Sequence, residues 1–325
     1  QLSKTYGPVF TVWLGRRRVL VLCGHAAVRE ALVEQAEAFA GRGRLPTVES
    51  TFHGHGVVFA NGERWRQLRR FSLSVLRDFG MGRKTIESRI QEEAQVLLQE
   101  FQSTKGEPFD PTFLLSCAVS NIICSIVFGK RFDYRDEEFL ELLRMMNESF
   151  REISTPWAQL YEMAETFLQH LPGPHRKIPR LLGKMRSFIT QRVKDNARSL
   201  DPEHPRDFID CFLLQMEKVG GEFTLENLEL TTLNLFFAGT ETVSSTLRYG
   251  FLQLMKHPEI QEKVHEEIER VVGLNRPPAI EDRAHMPYTE AVLHEVQRCA
   301  DLLPMNVPHR TTRPVRFRGY TIPEV

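Results

Sequence analysis

The sequence predicts a mainly helical protein with a small sheet near its N-terminus. Three observations carry that expectation. Apolar residues recur at helical spacing through most of the chain, strand chemistry is confined to the two ends, and Gly and Pro punctuate the connections. With 42 % hydrophobic and 26 % charged residues in 325, there is enough apolar surface for a sizeable core without disulfides. We read residues 1–325 as one domain, free of repeats or low-complexity segments.

The opening reads as a hairpin. Val9–Leu14 is rich in β-branched and aromatic residues, Gly15–Arg18 is the turn, and Val19–Leu22 returns. A helical period follows over Ala26–Glu34, Glu63–Arg77, Arg89–Phe101, Leu114–Phe128, Asp136–Phe150, Thr155–Leu171 and Ile178–Leu200. The longest element runs from Thr224 to Lys256. Its middle, Leu233–Ala238, is apolar on every side, which predicts burial all round. Pro258 then opens a charged amphipathic helix that stops at Gly273, and Pro287–Cys299 forms another. The tail, Phe317–Ile322, returns to strand chemistry.

Charge and cysteine content exclude several function classes. Forty-two basic and 42 acidic side chains leave no net charge, so bulk attraction to nucleic acid is not expected. No stretch reaches the ~18 uninterrupted apolar residues that would cross a bilayer. The five cysteines, Cys23, Cys117, Cys124, Cys211 and Cys299, are scattered without metal-ligand spacing and sit among apolar neighbours. They read as buried, reduced thiols. The chain begins at Gln1 and stops at Val325 inside strand chemistry, so a piece of a longer protein is expected.

Chemistry concentrates where Ala238-Gly-Thr-Glu-Thr242 interrupts the long helix. Gly239 costs a helix interior about 1 kcal/mol relative to Ala, and three polar side chains in an apolar segment are costly unless satisfied. Two readings fit. A glycine notch beside a hydroxyl and a carboxylate can hold a small molecule and move protons to it. Alternatively, the helix is merely bent by threonines bonding back to carbonyls. Three weaker patterns stand beside it. Trp65 and Arg69 lie four apart on one helix face, as cation–π packing or an anion site. Glu295 and Arg298 lie three apart, the spacing of a local ion pair. His309 follows an apolar run, as a surface residue or an anion donor.

In this order the patterns resemble the cytochrome P450 family, specifically its microsomal family 2 of vertebrates. The family's [Ala/Gly]-Gly-x-[Asp/Glu]-Thr matches Ala238–Thr242, Trp-x-x-x-Arg matches Trp65–Arg69, and Glu-x-x-Arg matches Glu295–Arg298. Phe39-Ala-Gly-Arg-Gly43, Arg206-Asp-Phe-Ile-Asp210 and Phe317-Arg-Gly-Tyr320 look like family 2 as well. Asn147–Phe150 and Ser154–Leu160 look most like its subfamily G, with A, B and F close behind. The resemblance covers essentially all of the chain.

It implies the cytochrome P450 fold, incomplete at the C-terminus, and a haem monooxygenase acting on small apolar substrates such as xenobiotics, odorants, steroids or fatty acids. Thr242 would hold a hydrogen-bonded water and Glu241 would relay protons, while Ala238 and Gly239 would leave room for oxygen above the haem. Arg42, Trp65, Arg69 and His309 match positions that bind the haem carboxylates. Leu45, Val58, Phe59, Phe237, Ala238, Leu303 and Val307 fall where the family lines its substrate pocket, and Glu295 and Arg298 would be structural. The implied partners are NADPH-cytochrome P450 reductase, cytochrome b5 as a further donor, and the endoplasmic reticulum membrane, facing the cytosol, through an N-terminal anchor. A basic run, Arg64, Arg66, Arg69, Arg70, Arg83 and Lys84, is a candidate docking face for an acidic reductase. The family's Cys loop that ligates the iron has no match here, so the sulfur ligand is expected beyond Val325 and the chain as written is expected to be inactive. The alternative is a truncated, non-catalytic product retaining at most lipophilic-ligand binding.

Overall fold

The computed structural model describes residues 2–325. It is 65 % helix with small antiparallel sheets. In chain order the elements are α1 (Leu2–Tyr6), β1 (Val9–Leu14), β2 (Arg17–Leu22), α2 (His25–Arg29, continued by a π turn over Glu30–Glu34), β3 (Gly41–Arg42), α3 (Pro46–Phe52), α4 (Gly56–Phe59) and α5 (Gly62–Asp78). There follow α6 (Glu87–Ser103), α7 (Thr112–Val127), α8 (Glu137–Ile153), α9 (Pro156–Leu168), α10 (Lys177–Arg198) and α11 (Phe208–Val219). The chain closes with α12 (Leu225–Lys256), α13 (Pro258–Val271), α14 (Pro287–Ala300), β4 (His309–Arg310), β5 (Val315–Phe317) and β6 (Tyr320–Ile322).

Helix starts follow local chemistry. The side chains of Asp136, Thr155, Asp207 and Thr224 accept the backbone N–H three residues on and so cap α8, α9, α11 and α12. Pro at the first position opens α9, α13 and α14. Inside α9, Ala164 leaves helical geometry at φ −130°, and the helix ends at Leu168 rather than Leu171.

The first half of α12 is the centre of the main core. Leu228, Leu230, Leu233 and Phe236 are fully buried among Cys117, Cys124 and Val127 of α7, Met185 and Ile189 of α10, and Phe139 and Met146 of α8. Each such apolar side chain contributes ~1.5–3 kcal/mol on leaving water. Phe71 of α5, Phe212 of α11 and Phe223 close the cluster edge to face, with ring centroids 5.2–5.4 Å apart.

A second, smaller core joins the two ends of the chain. Val9, Ala31, Ala38 and Phe39 pack on Val315 and Phe317, and the Phe39 and Phe317 rings meet at 5.4 Å. The sheet is therefore not confined to the N-terminus: β1 pairs with β2 and β5 with β6, while β3 pairs with β4 across most of the sequence, placing Arg42 opposite His309.

Burial all round the middle of α12 is not observed. Leu233 and Phe236 are buried, but Ala238 is exposed, as are Val243, Leu247, Tyr249, Phe251, Leu252 and Met255. Among the described residues no helix is long and apolar enough to cross a membrane. Because Phe212 is fully buried in the aromatic cluster, Phe212→Ala should lower stability by ~3–5 kcal/mol in urea unfolding; a loss below ~1 kcal/mol would mean the cluster collapses without a cavity.

Candidate functional site

The notch in α12 is built by back-bonding. Thr242 Oγ1 donates to Ala238 O at 2.7 Å, and Thr246 Oγ1 donates to Thr242 O at 2.8 Å. The Thr242 proton is thus committed to the backbone, and its oxygen remains an acceptor. Glu241 Oε1 accepts from Ser245 Oγ at 2.8 Å, whereas Oε2 is buried without a partner among the described residues. An acceptor left dry in this way is costly, and such groups cluster at sites with a job to do.

Gly239 corrects one expectation. A Cβ at this position would lie 2.4 Å from Cδ1 and Cγ1 of Ile123, so the space it leaves is filled by α7. Its role is the close approach of α12 to α7. Ala238, by contrast, is exposed and Thr242 is half-buried.

Cations gather where β3 meets β4. Arg42 Nε donates to Val58 O at 3.0 Å, and Arg42 Nη1 lies 3.1 Å from His309 Nε2. His309 Nδ1 lies 2.7 Å from Phe39 O. A carbonyl can only accept and a guanidinium can only donate, so the ring is assigned as neutral, with its proton on Nδ1. Burial lowers the His309 pKa and the Arg42 charge lowers it further, against the Phe39 bond, which raises it. Arg42 itself is lowered by burial and then by the charge of Arg69. The Arg69 guanidinium stacks over Trp65 at 5.6 Å. Neither Arg42 nor Arg69 forms an ion pair with a carboxylate among the described residues. Guanidinium groups without a carboxylate partner are chemically suited to binding an anion. With its Nε2 engaged by Arg42, His309 orients that guanidinium; it is not free to donate to an anion itself.

The apolar candidates divide. Leu45, Phe59 and Phe237 are half-buried on the rim of the main core, with Phe59 against Phe52 at 4.6 Å and Phe237 against Phe150 at 5.2 Å. Val58 is half-buried on α4. Val307 is half-buried, and Pro308 O beside it accepts Gly43 N at 3.3 Å, which ties that segment to β3. Leu303 is 62 % exposed and joins no apolar cluster among the described residues. Glu295 and Arg298 form a bidentate pair at 2.6 and 2.7 Å on the surface of α14, which holds the Glu295 carboxyl down at about 2.

Two asparagines with a part in this arrangement were not anticipated. Asn227 and Asn234, both buried in α12, accept the N–H groups of Gly56 and Val58 at 3.1 and 3.0 Å. Their spacing of seven on an otherwise apolar face was the available signal. The basic run is also weaker than its sequence suggests. Arg64 pairs with Glu222, Arg66 with Glu63 and Lys84 with Glu281, which leaves Arg69, Arg70 and Arg83. Cys117 and Cys124 are buried, with burial pushing both thiols up to about 12, but Cys23 and Cys211 are half-buried and Cys299 is exposed, contrary to the expectation of five buried thiols.

Mainly helical architecture around a long central helix, a Gly-Thr-Glu-Thr notch and arginines without carboxylate partners among the described residues fit a protein of the cytochrome P450 class. Comparison with known proteins agrees: the sequence model described as cytochrome P450 matches residues 1–324, and the chain belongs to that family. It is 61 % identical to cytochrome P450 2G1 of Oryctolagus cuniculus, 58 % identical to cytochrome P450 2A13 of Homo sapiens and 56 % identical to cytochrome P450 2B4 of Oryctolagus cuniculus, each over 100 % of this chain. These similarities fit the microsomal family 2, subfamily G. The chain spans 66 % of the length of the first two relatives and 67 % of the third.

Two outcomes follow from this geometry. Gly239→Ala should cost ~1–3 kcal/mol through overpacking against Ile123, and Ile123→Ala in the same chain should recover most of it in a double-mutant cycle; full additivity would place the notch elsewhere. For His309, the unfolded ring takes a proton near pH 6.5 while the folded ring resists it. Folding therefore weakens as pH falls below that value, until the folded ring also protonates. Urea midpoints should fall less on acidification for His309→Gln than for the unaltered chain, and identical acid profiles would show a ring that gains its proton freely.

Proposed function

We propose that this chain forms the oxygen-side and carboxylate-binding portion of a haem-thiolate monooxygenase that inserts one atom of dioxygen into small apolar substrates. The observation that carries the reading is the Arg42–Arg69 pair, with no carboxylate against it among the described residues, linked through Val58 and Asn234 to α12 one turn before Ala238. Two adjacent cations without protein anions fit the two carboxylates of haem. No cysteine of the sequence stands in the family's iron-ligating loop. Burial pushes the Cys117 and Cys124 thiols up to about 12 and the Cys211 thiol to about 11, as suits thiols packed in a core. We place that ligand in the third of the relatives' length that this chain does not span, and expect the 325 residues alone to be inactive.

Bound haem would supply the activation of dioxygen. The chain's own residues do the rest. Arg42 and Arg69 hold the carboxylates, with Trp65 stacked under Arg69 and His309 fixing Arg42. The Thr242 oxygen, its proton given to Ala238 O, accepts a hydrogen bond and so orients a water with a proton directed away from it. The partnerless Glu241 Oε2 takes the next proton position in that relay. Leu45, Val58, Phe59, Phe237 and Ala238, with Val307 from the segment tied to β3, would line an apolar pocket for a lipophilic substrate. Glu295 and Arg298 brace α14. Electrons would come from NADPH-cytochrome P450 reductase or cytochrome b5, docked on Arg70 and Arg83. Attachment to the endoplasmic reticulum membrane would come from an anchor outside these residues.

The test is a chimera of residues 1–325 with the segment of cytochrome P450 2G1 of Oryctolagus cuniculus that follows its matched region. Its reduced carbon monoxide spectrum should show the band that names the family, and the 325-residue chain alone should not. In the chimera, Thr242→Ala should slow substrate oxidation roughly 10²-fold. A band from the chain alone, or an unaffected Thr242 variant, would contradict this reading.

A further inference from the structure

We propose that Asn227 and Asn234 are positioning residues. Their side-chain carbonyls fix the Gly56–Val58 corner on α12 and, through Val58, set the direction of the Arg42 guanidinium. The inference deepens the reading above and rests on Arg42 being a carboxylate ligand.

The two residues are seven apart, so they lie about two turns, ~10 Å, along one face of α12. They are 1 % and 4 % exposed. An amide in an apolar helix face costs free energy unless its polar atoms are bonded, and leucine would fill the same volume without that cost. Both amides are spent on the same short helix. Asn227 Oδ1 takes the Gly56 N–H at 3.1 Å, while its Nδ2 donates to Glu222 O at 2.8 Å, which fixes which way the amide faces. Asn234 Oδ1 takes the Val58 N–H at 3.0 Å. The approach is close enough to require glycine. Gly56 has φ +76°, and a Cβ there would stand 2.5 Å from Asn234 Oδ1 and 3.1 Å from the Leu230 backbone.

The fixed corner then acts on Arg42. Val58, held at its N–H by Asn234, presents its carbonyl to Arg42 Nε at 3.0 Å. The guanidinium is planar, so a second contact, Nη1 with His309 Nε2 at 3.1 Å, determines its plane. Nη2 is left without a partner among the described residues. Arg42's own backbone is held separately, its N–H by Asn61 Oδ1 at 2.6 Å. Losing the Asn234 contact therefore frees the direction of the side chain without releasing the strand that carries it.

The probes are hemin, which carries two free carboxylates, and its dimethyl ester, which carries none. Each is titrated into the 325-residue chain by quenching of tryptophan fluorescence. In parallel, the Arg42 Nε–H resonance is followed in labelled protein without porphyrin. In Asn234→Leu that resonance should lose its protection from solvent exchange. Hemin affinity should fall about tenfold, a typical loss for one misdirected charged hydrogen bond, with diester affinity unchanged. Asn234→Asp keeps an acceptor for Val58 and should restore both readouts. If the Leu variant does not fold, Asn234→Ser, too short to reach Val58, is read in the same way. Retained protection in these variants, or equal weakening of hemin and diester, would overturn the proposal. If the unaltered chain does not distinguish hemin from its diester, the reading of Arg42 as a carboxylate ligand fails. The positioning proposal is then decided by the Arg42 resonance alone: loss in Leu with recovery in Asp upholds it, and no change overturns it.

Discussion

The constraint on which the rest of the structure depends is that one 32-residue helix, α12, must be core along its first half and open surface along much of its second. Leu228, Leu230, Leu233 and Phe236 anchor it among α7, α8 and α10. The same turns carry Asn227 and Asn234, whose side-chain carbonyls hold the N–H groups of α4. From α4 the connections run outward to Arg42, then His309, then Phe39. Fixing the helix therefore fixes the corner, the guanidinium and the strand pair, which together form the rim of the site.

Electrostatics sharpens that picture. Several buried carboxylates elsewhere are matched within the chain: Glu93 with Arg131, Glu229 with Arg186, Asp210 with Arg206. Beside β3 the matching stops. Burial and then the Arg69 charge lower the Arg42 pKa, and the hydrogen-bond geometry of the neighbouring histidine assigns its ring as neutral. Unmatched like charges work against folding, so their persistence at one place marks a requirement outside the stability of the chain. Helical packing alone would have been satisfied by apolar residues at these positions.

Much of the helical framework was legible from periodicity and caps. Thr224 to Lys256 differs from the observed helix by one residue at its start, and Pro258 and Pro287 open helices as their ring geometry requires. Phe208–Val219 was missed, although the Asp207 cap and Asp210 in the first turn both mark a helix start. Two-residue strands such as Gly41–Arg42 have no periodicity to read, so their pairing with His309–Arg310 was invisible. In the site, residue types could be matched to the family's pattern, but directions could not. Gly239 turns toward Ile123, Leu303 stands in solvent, and the buried partners of Gly56 and Val58 are amides whose purpose is set by tertiary contact.

The most direct test of α12 as both core and rim is native-state hydrogen exchange read residue by residue along it. Amides from Leu228 to Phe236 should exchange only through global unfolding, and those from Val243 to Met255 through cheaper local opening, with the change of regime near Gly239. Uniform protection over the whole helix would contradict the account, because the second half would then be as deeply held as the first.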